Sequence, residues 1–466
     1  MIVMKFGGTS VEDAPSIERV AEIIRARLKQ KPIVVVSAMG KTTRRLLQAA
    51  EASAAGDART TLGIVADLKT RHSSEARRLV KNADGRDAFA LIERYFDELK
   101  KLLEGLSVLG EVPPRGLDKI LAYGELLSSA LLTDALRERG IPAHLTDARE
   151  LIKTDDRYGS ATPLFEITNK QIAETIPSLA KSGVVPVVQG FIGSSRDGAT
   201  TTLGFEGSDY TATIIGAAID AEDIQIWKDV SGLMTADPAI MPNARTVKIC
   251  SYAEAAELTH FGAKVLHPKA IRPAARKKIC VHIYNSMDPT AAGTTITAKT
   301  TSCSNLIKSI AYKRPVTIIN ATAQTSTDVS RSVSSEDLLR ALLDVLAGRH
   351  IQPLLTSASA SNIVVAIDSR NLRHGGRDLI EAVSEHGTAI AESGRAIVSL
   401  VGEDLRRERS LLNRVFETVG DIELGLIQHG SSPLAMSLVI AEEHVEEVIR
   451  RLHSAFFETI DPEVFA

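Results

Sequence analysis

Lys5-Phe6-Gly7-Gly8-Thr9-Ser10 sets a lysine at the end of a strand-like run and follows it with two glycines. An ammonium in that position can face phosphate oxygens, and the bare N–H groups of a glycine turn can approach the same oxygens. The same residues also read as a structural turn and nothing more. Glu125 lies among leucines in Leu117-Asp118-Lys119-Ile120-Leu121-Ala122-Tyr123-Gly124-Glu125-Leu126-Leu127, a helical pattern. A carboxylate left unpaired there is costly, so a bound ammonium group or an internal salt bridge has to offset it. Thr200-Thr201-Thr202-Leu203-Gly204-Phe205-Glu206-Gly207-Ser208-Asp209 is a hydroxyl- and glycine-rich loop that ends at an apolar helix. Ser208 or Asp209 is then an N-cap, or the helix N-terminus is an anion site. Gly262-Ala263-Lys264-Val265-Leu266-His267-Pro268 offers a second lysine near a loop, which alone reads as a solvated charge. Gly40-Lys41-Thr42 imitates the end of a P-loop, but Val35 occupies the place of its first glycine, inside a strand.

The elements that must hold these residues alternate. Ile2–Phe6, Pro32–Ser37, Val184–Val188 and Ile224–Trp227 read as buried strands. A helix follows Asp13 and Pro15, with Ile17, Val20, Ile24 and Leu28 at helical spacing. This rhythm predicts an α/β layer around a largely parallel sheet. Gly7-Gly8, Ser37, Gln189-Gly190 and Asp229 all fall just past strand C-termini, the edge where such sheets bind ligands. After a small, polar stretch at 295–310 the units shorten. A strand at Val316–Ile319, a helix capped by Ser334 or Ser335 with leucines from 338 to 346, and a strand at Ile363–Ile367 make a first set. A second set comprises strands at Ala396–Val401, Ile422–Ile427 and Met436–Ile440, with helices at Leu411–Val419 and His444–Leu452. The two sets form a weak repeat of βαββα units.

Bulk properties bound the rest. A chain of 466 residues is about three times the usual domain of ~150, so two to four cores are expected. A net charge of −3 and 4% aromatics give no electrostatic or stacking case for nucleic acid or an anionic membrane. Cys250, Cys280 and Cys303 are scattered, which suits idle thiols in a reducing compartment. With no signal segment and no apolar run of about 18 residues, a cytoplasmic location is expected.

Taken in order, the motifs resemble one family. KFGGTSV (5–11), SAMGKTT (37–43), GEL (124–126), QGFIGS (189–194), TTTLG (200–204), GSDYTA (207–212), W-x-DV-x-G (227–232), TADP (235–238) and FGAKVLHP (261–268) are similar to the signature stretches of aspartokinases, within the wider amino-acid kinase fold. The resemblance runs along essentially the whole chain, and the tail is similar to a pair of ACT regulatory modules.

That resemblance implies an α/β kinase domain at 1–300, a first ACT-like module with its connector at 301–395 and a second at 396–466. It implies transfer of the ATP γ-phosphoryl group to the β-carboxylate of L-aspartate, with Mg²⁺ arriving on the nucleotide and no separate metal cage. Lys5 and Lys264 would face the transferring group and Asp209 would organise them. Glu125 would hold the substrate ammonium, and Ser37, Thr43, Phe191 and Ser208 would line the aspartate pocket. Gly7, Gly8, Lys228, Asp229, Gly232, Met234 and Asp237 match the nucleotide side. A homodimer through the ACT modules and an amino-acid effector are further expectations. Several positions depart from the family. Its Gly-Arg-Gly-Gly-Ser-Asp reads Gly204-Phe205-Glu206-Gly207-Ser208-Asp209, so the arginine that grips a substrate carboxylate is absent from that place. Ala239 follows TADP, Arg44 follows KTT, and Lys228 stands where many members carry threonine. These departures motivate a second reading, a degenerate kinase that serves as an amino-acid sensor through its ACT pair.

Overall fold

The computed structural model describes residues 1–81, 86–204, 206–263, 266, 268–299, 302–323, 334–372, 376–384 and 386–466. The chain gathers into two units, one of Met1–Leu233, Lys248–Tyr252 and Leu266–Lys299, the other of Met234–Val247, Ala253–Val265 and Thr300–Ala466.

In the first unit, β1 (Ile2–Phe6), β2 (Pro32–Val36), β3 (Ala143–Thr146), β4 (Lys153–Thr154), β5 (Val185–Gln189), β6 (Ile192–Ser195), β7 (Thr200–Thr202), β8 (Asp223–Lys228), β9 (Ile249–Ser251), β10 (Val281–Asn285) and β11 (Thr294–Thr297) build two sheets. The larger has the order β3-β5-β2-β1-β8-β10-β11-β9, parallel except between β10 and β11. The central strands β1, β2 and β5 are buried at every position, the continuous apolar run demanded of strands covered on both faces. Helices α1 (Ala14–Arg25), α2 (Thr42–Ala54), α3 (Ala58–Leu79), α4 (Arg86–Leu109), α5 (Pro114–Glu138), α6 (Ala148–Leu151), α7 (Phe165–Lys181) and α8 (Gly207–Ala218) intervene. α1 starts where Asp13 accepts the Ser16 N–H and Pro15 occupies the first turn. One core joins Met4, Phe6, Ile17, Val20, Val34, Leu132 and Trp227.

α9 (Tyr252–His260) follows β9, and α10 (Pro268–Lys277) precedes β10. The second unit carries β12 (Ser309–Ala323), α11 (Ser335–Gly348), β13 (Leu355–Ala358), β14 (Asn362–Asp368), α12 (Arg377–Val383), β15 (Gly387–Val401), α13 (Arg409–Val419), β16 (Leu426–His429), β17 (Ala435–Ala441) and α14 (Val445–Phe457). Its antiparallel sheet runs β13-β14-β12-β15-β17-β16. The long pair β12–β15 belongs to both βαββα sets, so residues 395 and 396 are consecutive within one strand. Ser334 caps α11, whose Leu338, Leu342 and Leu346 pack on Ile319, Ile363 and Val365. The strand expected at Ile422–Ile427 begins only at Leu426. α13 ends at Gly420 in a positive-φ conformation, and the chain needs the next residues to turn before Gly425 N–H reaches the Val439 carbonyl. A fully buried ion pair, Lys308 Nζ to Glu254 Oε2 at 3.0 Å, lies in this unit. Among the described residues no helix is long and apolar enough to cross a membrane.

Candidate active site

Parallel pairing aligns Lys5 of β1 with Ile226 of β8. Strand side chains alternate, so Lys228, two residues beyond Ile226, projects from the same face as Lys5. α8 meets both on that face. Lys5 Nζ contacts Asp209 Oδ1 at 2.6 Å and Lys228 Nζ contacts Asp209 Oδ2 at 2.9 Å, so one carboxylate bridges two ammoniums. Burial pushes the Asp209 carboxyl up, but Lys228 and Lys5 outweigh it and hold the group below the usual carboxylate range. Burial pulls Lys228 down, and the carboxylates of Asp209 and Glu206 more than reverse this. Lys228 also reaches Glu206 Oε1 at 3.5 Å.

The glycine turn after β1 is packed from two sides. Gly7 N–H donates to the Trp227 carbonyl at 3.0 Å, and a Cβ on Gly8 would lie 2.8 Å from the Ala38 carbonyl oxygen. Ser37 N–H donates to the Phe6 carbonyl at 3.1 Å, while the Ser37 carbonyl accepts the Ser128 hydroxyl at 2.6 Å. Gly40 N–H is spent on the Gly8 carbonyl and α2 starts at Thr42, which removes any P-loop reading of Gly40-Lys41-Thr42. Arg71 of α3 donates to the carbonyls of Gly40 and Glu12, both at 2.8 Å, and so ties the two loops together.

Glu125 sits on α5, 3% exposed. Its Oε1 accepts the Ala38 N–H at 3.1 Å, and its buried Oε2 has no hydrogen-bond partner among the described residues. No internal salt bridge to it is formed among the described residues. Burial drives its carboxyl up to about 8, against the opposing pull of the Ala38 N–H and the Lys5 charge. A buried carboxyl oxygen in such surroundings suits a ligand that brings a cationic donor. Thr43, in the first turn of α2, faces Gly124 of α5. Phe191 takes φ +68°, and its N–H donates to Thr211 Oγ1 at 3.0 Å. Ser208 is buried against Gly190, where an added Cβ would meet Ser208 Cβ at 2.5 Å. Neither Ser208 nor Asp209 caps α8; Glu206 holds the N-cap position, leaving Asp209 for the lysines.

The first unit therefore assembles Lys5, Gly7, Gly8, Ser37, Thr43, Glu125, Phe191, Ser208, Asp209 and Lys228 around the ends of β1, β2, β5 and β8. Asp229 is exposed past β8, and Gly232, at φ +108°, is close-packed on Thr294. Met234 and Asp237 belong to the second unit. There the Met234 carbonyl accepts the Ser309 hydroxyl at 2.7 Å and Asp237 accepts the Tyr312 hydroxyl at 3.1 Å. Lys264 and Phe205 lie outside the described residues. Sequence reasoning passed over Asp118 and Glu206. Buried Asp118, one face of α5 with Glu125, accepts the N–H groups of Gly159 and Thr202 and the Thr202 hydroxyl, anchoring the hairpin before α8. Its place seven residues before Glu125, two helical turns, was the available signal. Among the described residues no group of three or more His, Cys, Asp or Glu could hold a metal ion.

Residues 1–285 match the amino acid kinase family and residues 398–456 match an ACT domain. Over 482 aligned residues the chain is 35% identical to Aspartokinase 2, chloroplastic, of Arabidopsis thaliana, covering 99% of this chain and 85% of the relative. The chain belongs to the aspartokinase family. It is also 31% identical to lysine-sensitive aspartokinase 3 of Escherichia coli, covering 98% of this chain and 99% of that one. The solved structure of E. coli aspartokinase III in complex with aspartate and ADP (R-state) superposes with a TM-score of 0.87 at 30% identity, over 98% of this chain and 100% of that one. The chain is thus an aspartokinase-family kinase with the amino-acid kinase fold and a C-terminal ACT domain.

Proposed function

We propose that this chain transfers the γ-phosphoryl group of ATP to the β-carboxylate of L-aspartate, giving 4-phospho-L-aspartate for lysine, threonine and methionine biosynthesis. The observation that carries the substrate is Glu125, whose buried Oε2 has no partner among the described residues and suits the ammonium of an amino acid. Phosphoryl transfer needs positioning and charge stabilisation more than covalent chemistry by the protein. Lys5, fixed by Asp209, supplies positive charge at the transferring group, and Lys264 is assigned the same task by resemblance. Asp209 orders the cations. Ser37, Thr43, Phe191 and Ser208 line the aspartate side. Gly7, Gly8, Lys228, Asp229, Gly232, Met234 and Asp237 serve the nucleotide.

Mg²⁺ would arrive with ATP and neutralise charge between its phosphates. Both Asp209 oxygens already face ammoniums, so the phosphate oxygens are left as its principal ligands. We assign 1–300 to catalysis and 301–395 and 396–466 to two ACT-type modules, the second supported by the match at 398–456. A cytoplasmic homodimer through these modules, with an amino-acid effector, completes the proposal. The test is a coupled assay of ADP release with L-aspartate, glutamate or N-acetylglutamate. Turnover with aspartate at millimolar concentration is expected. A chain that binds an amino acid and shows no nucleotide-dependent turnover with aspartate would instead be a sensor.

A further inference from the structure

Glu206 is an odd residue for its place. It opens α8 with φ +54°, a left-handed conformation that costs glycine nothing and a residue with a side chain something. At the N-cap its side chain makes no capping hydrogen bond. Its Oε1 lies instead 3.5 Å from Lys228 Nζ. The position therefore supplies neither a cap nor an easy turn, but a negative charge beside a cation of the site.

The four charged groups are graded from inside outward. Asp209 and Lys5 are 1% and 7% exposed along their side chains and meet at 2.6 Å. Lys228 and Glu206 are 13% and 16% exposed and their contact is the longer one. Lys228 also makes a closer bond, to Asp209 at 2.9 Å. The inner pair is thus the tighter, and the outer contact, longer and nearer the solvent, is the one an arriving phosphate meets first. Among the described residues, the ammoniums of Lys5 and Lys228 meet the carboxylates of Asp209 and Glu206 here. A polyphosphate brought to Lys228 meets a site whose nearest positive charge is already partly neutralised by Glu206, and which repels it through that same carboxylate.

We propose that Glu206 is a positioning residue and internal competitor: its carboxylate holds Lys228 until a nucleotide phosphate displaces it, and so weakens nucleotide binding. This deepens the assignment of Lys228 to the nucleotide side and rests on it. Weaker nucleotide binding in turn eases release of the diphosphate product.

The test is calorimetric titration of the full chain with MgADP. Glu206→Gln keeps the volume and removes the charge, and should tighten MgADP about fivefold, the size of one partly screened ion contact. Glu206→Asp should restore part of the wild-type affinity. Lys228→Met should weaken binding, and in that background Glu206→Gln should have at most half its effect, because the competitor has lost what it competes for. Unchanged or weaker MgADP affinity in folded Glu206→Gln overturns the proposal. An equal gain with and without the Lys228→Met change overturns it too, by reducing Glu206 to simple repulsion of the nucleotide. Absence of aspartate turnover would strike the proposed function without altering these affinities, so the two failures are distinguishable.

Discussion

At the scale of single residues, the site rests on two buried carboxylates in opposite electrical settings. Asp209 is held ionised by Lys228 and Lys5, whereas Glu125 is pushed up to about 8 by burial and forms no ion pair among the described residues. On the proposed reaction Lys5 acts on charge that develops as the phosphoryl group moves. Lys5→Ala should therefore lower kcat by about 10²- to 10³-fold with smaller changes in either KM, as measured by steady-state kinetics. Glu125 must be ionised to hold a substrate ammonium, so KM for aspartate should fall as pH rises towards about 8. Glu125→Gln should abolish that limb and raise KM for aspartate roughly ten- to a hundredfold. Stability carries the same signature. Between the carboxyl's ordinary 4.5 and about 8, the folded chain keeps a proton that the unfolded chain has lost, so stability falls as pH rises through that window. Melting curves of Glu125→Gln should lack this fall.

At the scale of elements, the central strands and the helices after them were legible because their signals are local. β1, β2, β5 and β8 announce themselves as apolar runs, and Asp13 and Ser334 as caps. Close approaches between elements were not legible, since they depend on which residue stands opposite. Gly190, at the end of β5, shows this best. A methyl group there would meet Ser208 Cβ at 2.5 Å, with the first turn of α8 behind it. Gly190→Ala should force α8 away from β5, cost about 1–3 kcal/mol in denaturant unfolding and displace Asp209 from Lys5. A substantial loss of kcat should accompany it, and unaltered kinetics would refute the close contact. The pairing of Lys228 with Glu206 was hidden for the same reason, 22 residues separating two charges that only the packing of α8 against β8 brings together.

At the scale of the whole molecule, the chain crosses between its two units more often than its motif order suggests. Met234–Val247 and Ala253–Val265 belong with Thr300–Ala466. The Met234 carbonyl accepts from Ser309, Ile310 N–H donates to the Thr235 carbonyl, Asp237 accepts from Tyr312, and Thr235 Oγ1 lies 2.9 Å from His453 Nε2. A fragment ending at residue 299 discards all of these partners. It should bind MgADP more weakly than the full chain and melt at lower temperature, as calorimetry and thermal denaturation would report. A fragment as active and stable as the whole would refute the dependence. The sequence by itself determined the α/β class, because strand runs, caps and turn residues act on neighbours within a few positions, and its motif stretches carried the resemblance to the family. Only the tertiary structure decided that Asp209 serves two lysines rather than capping α8, that Glu125 keeps an oxygen unpartnered among the described residues, and that the 234–247 segment folds with the C-terminal half. Each of those outcomes depends on which distant groups share a buried space, and burial is a property of the packed chain alone.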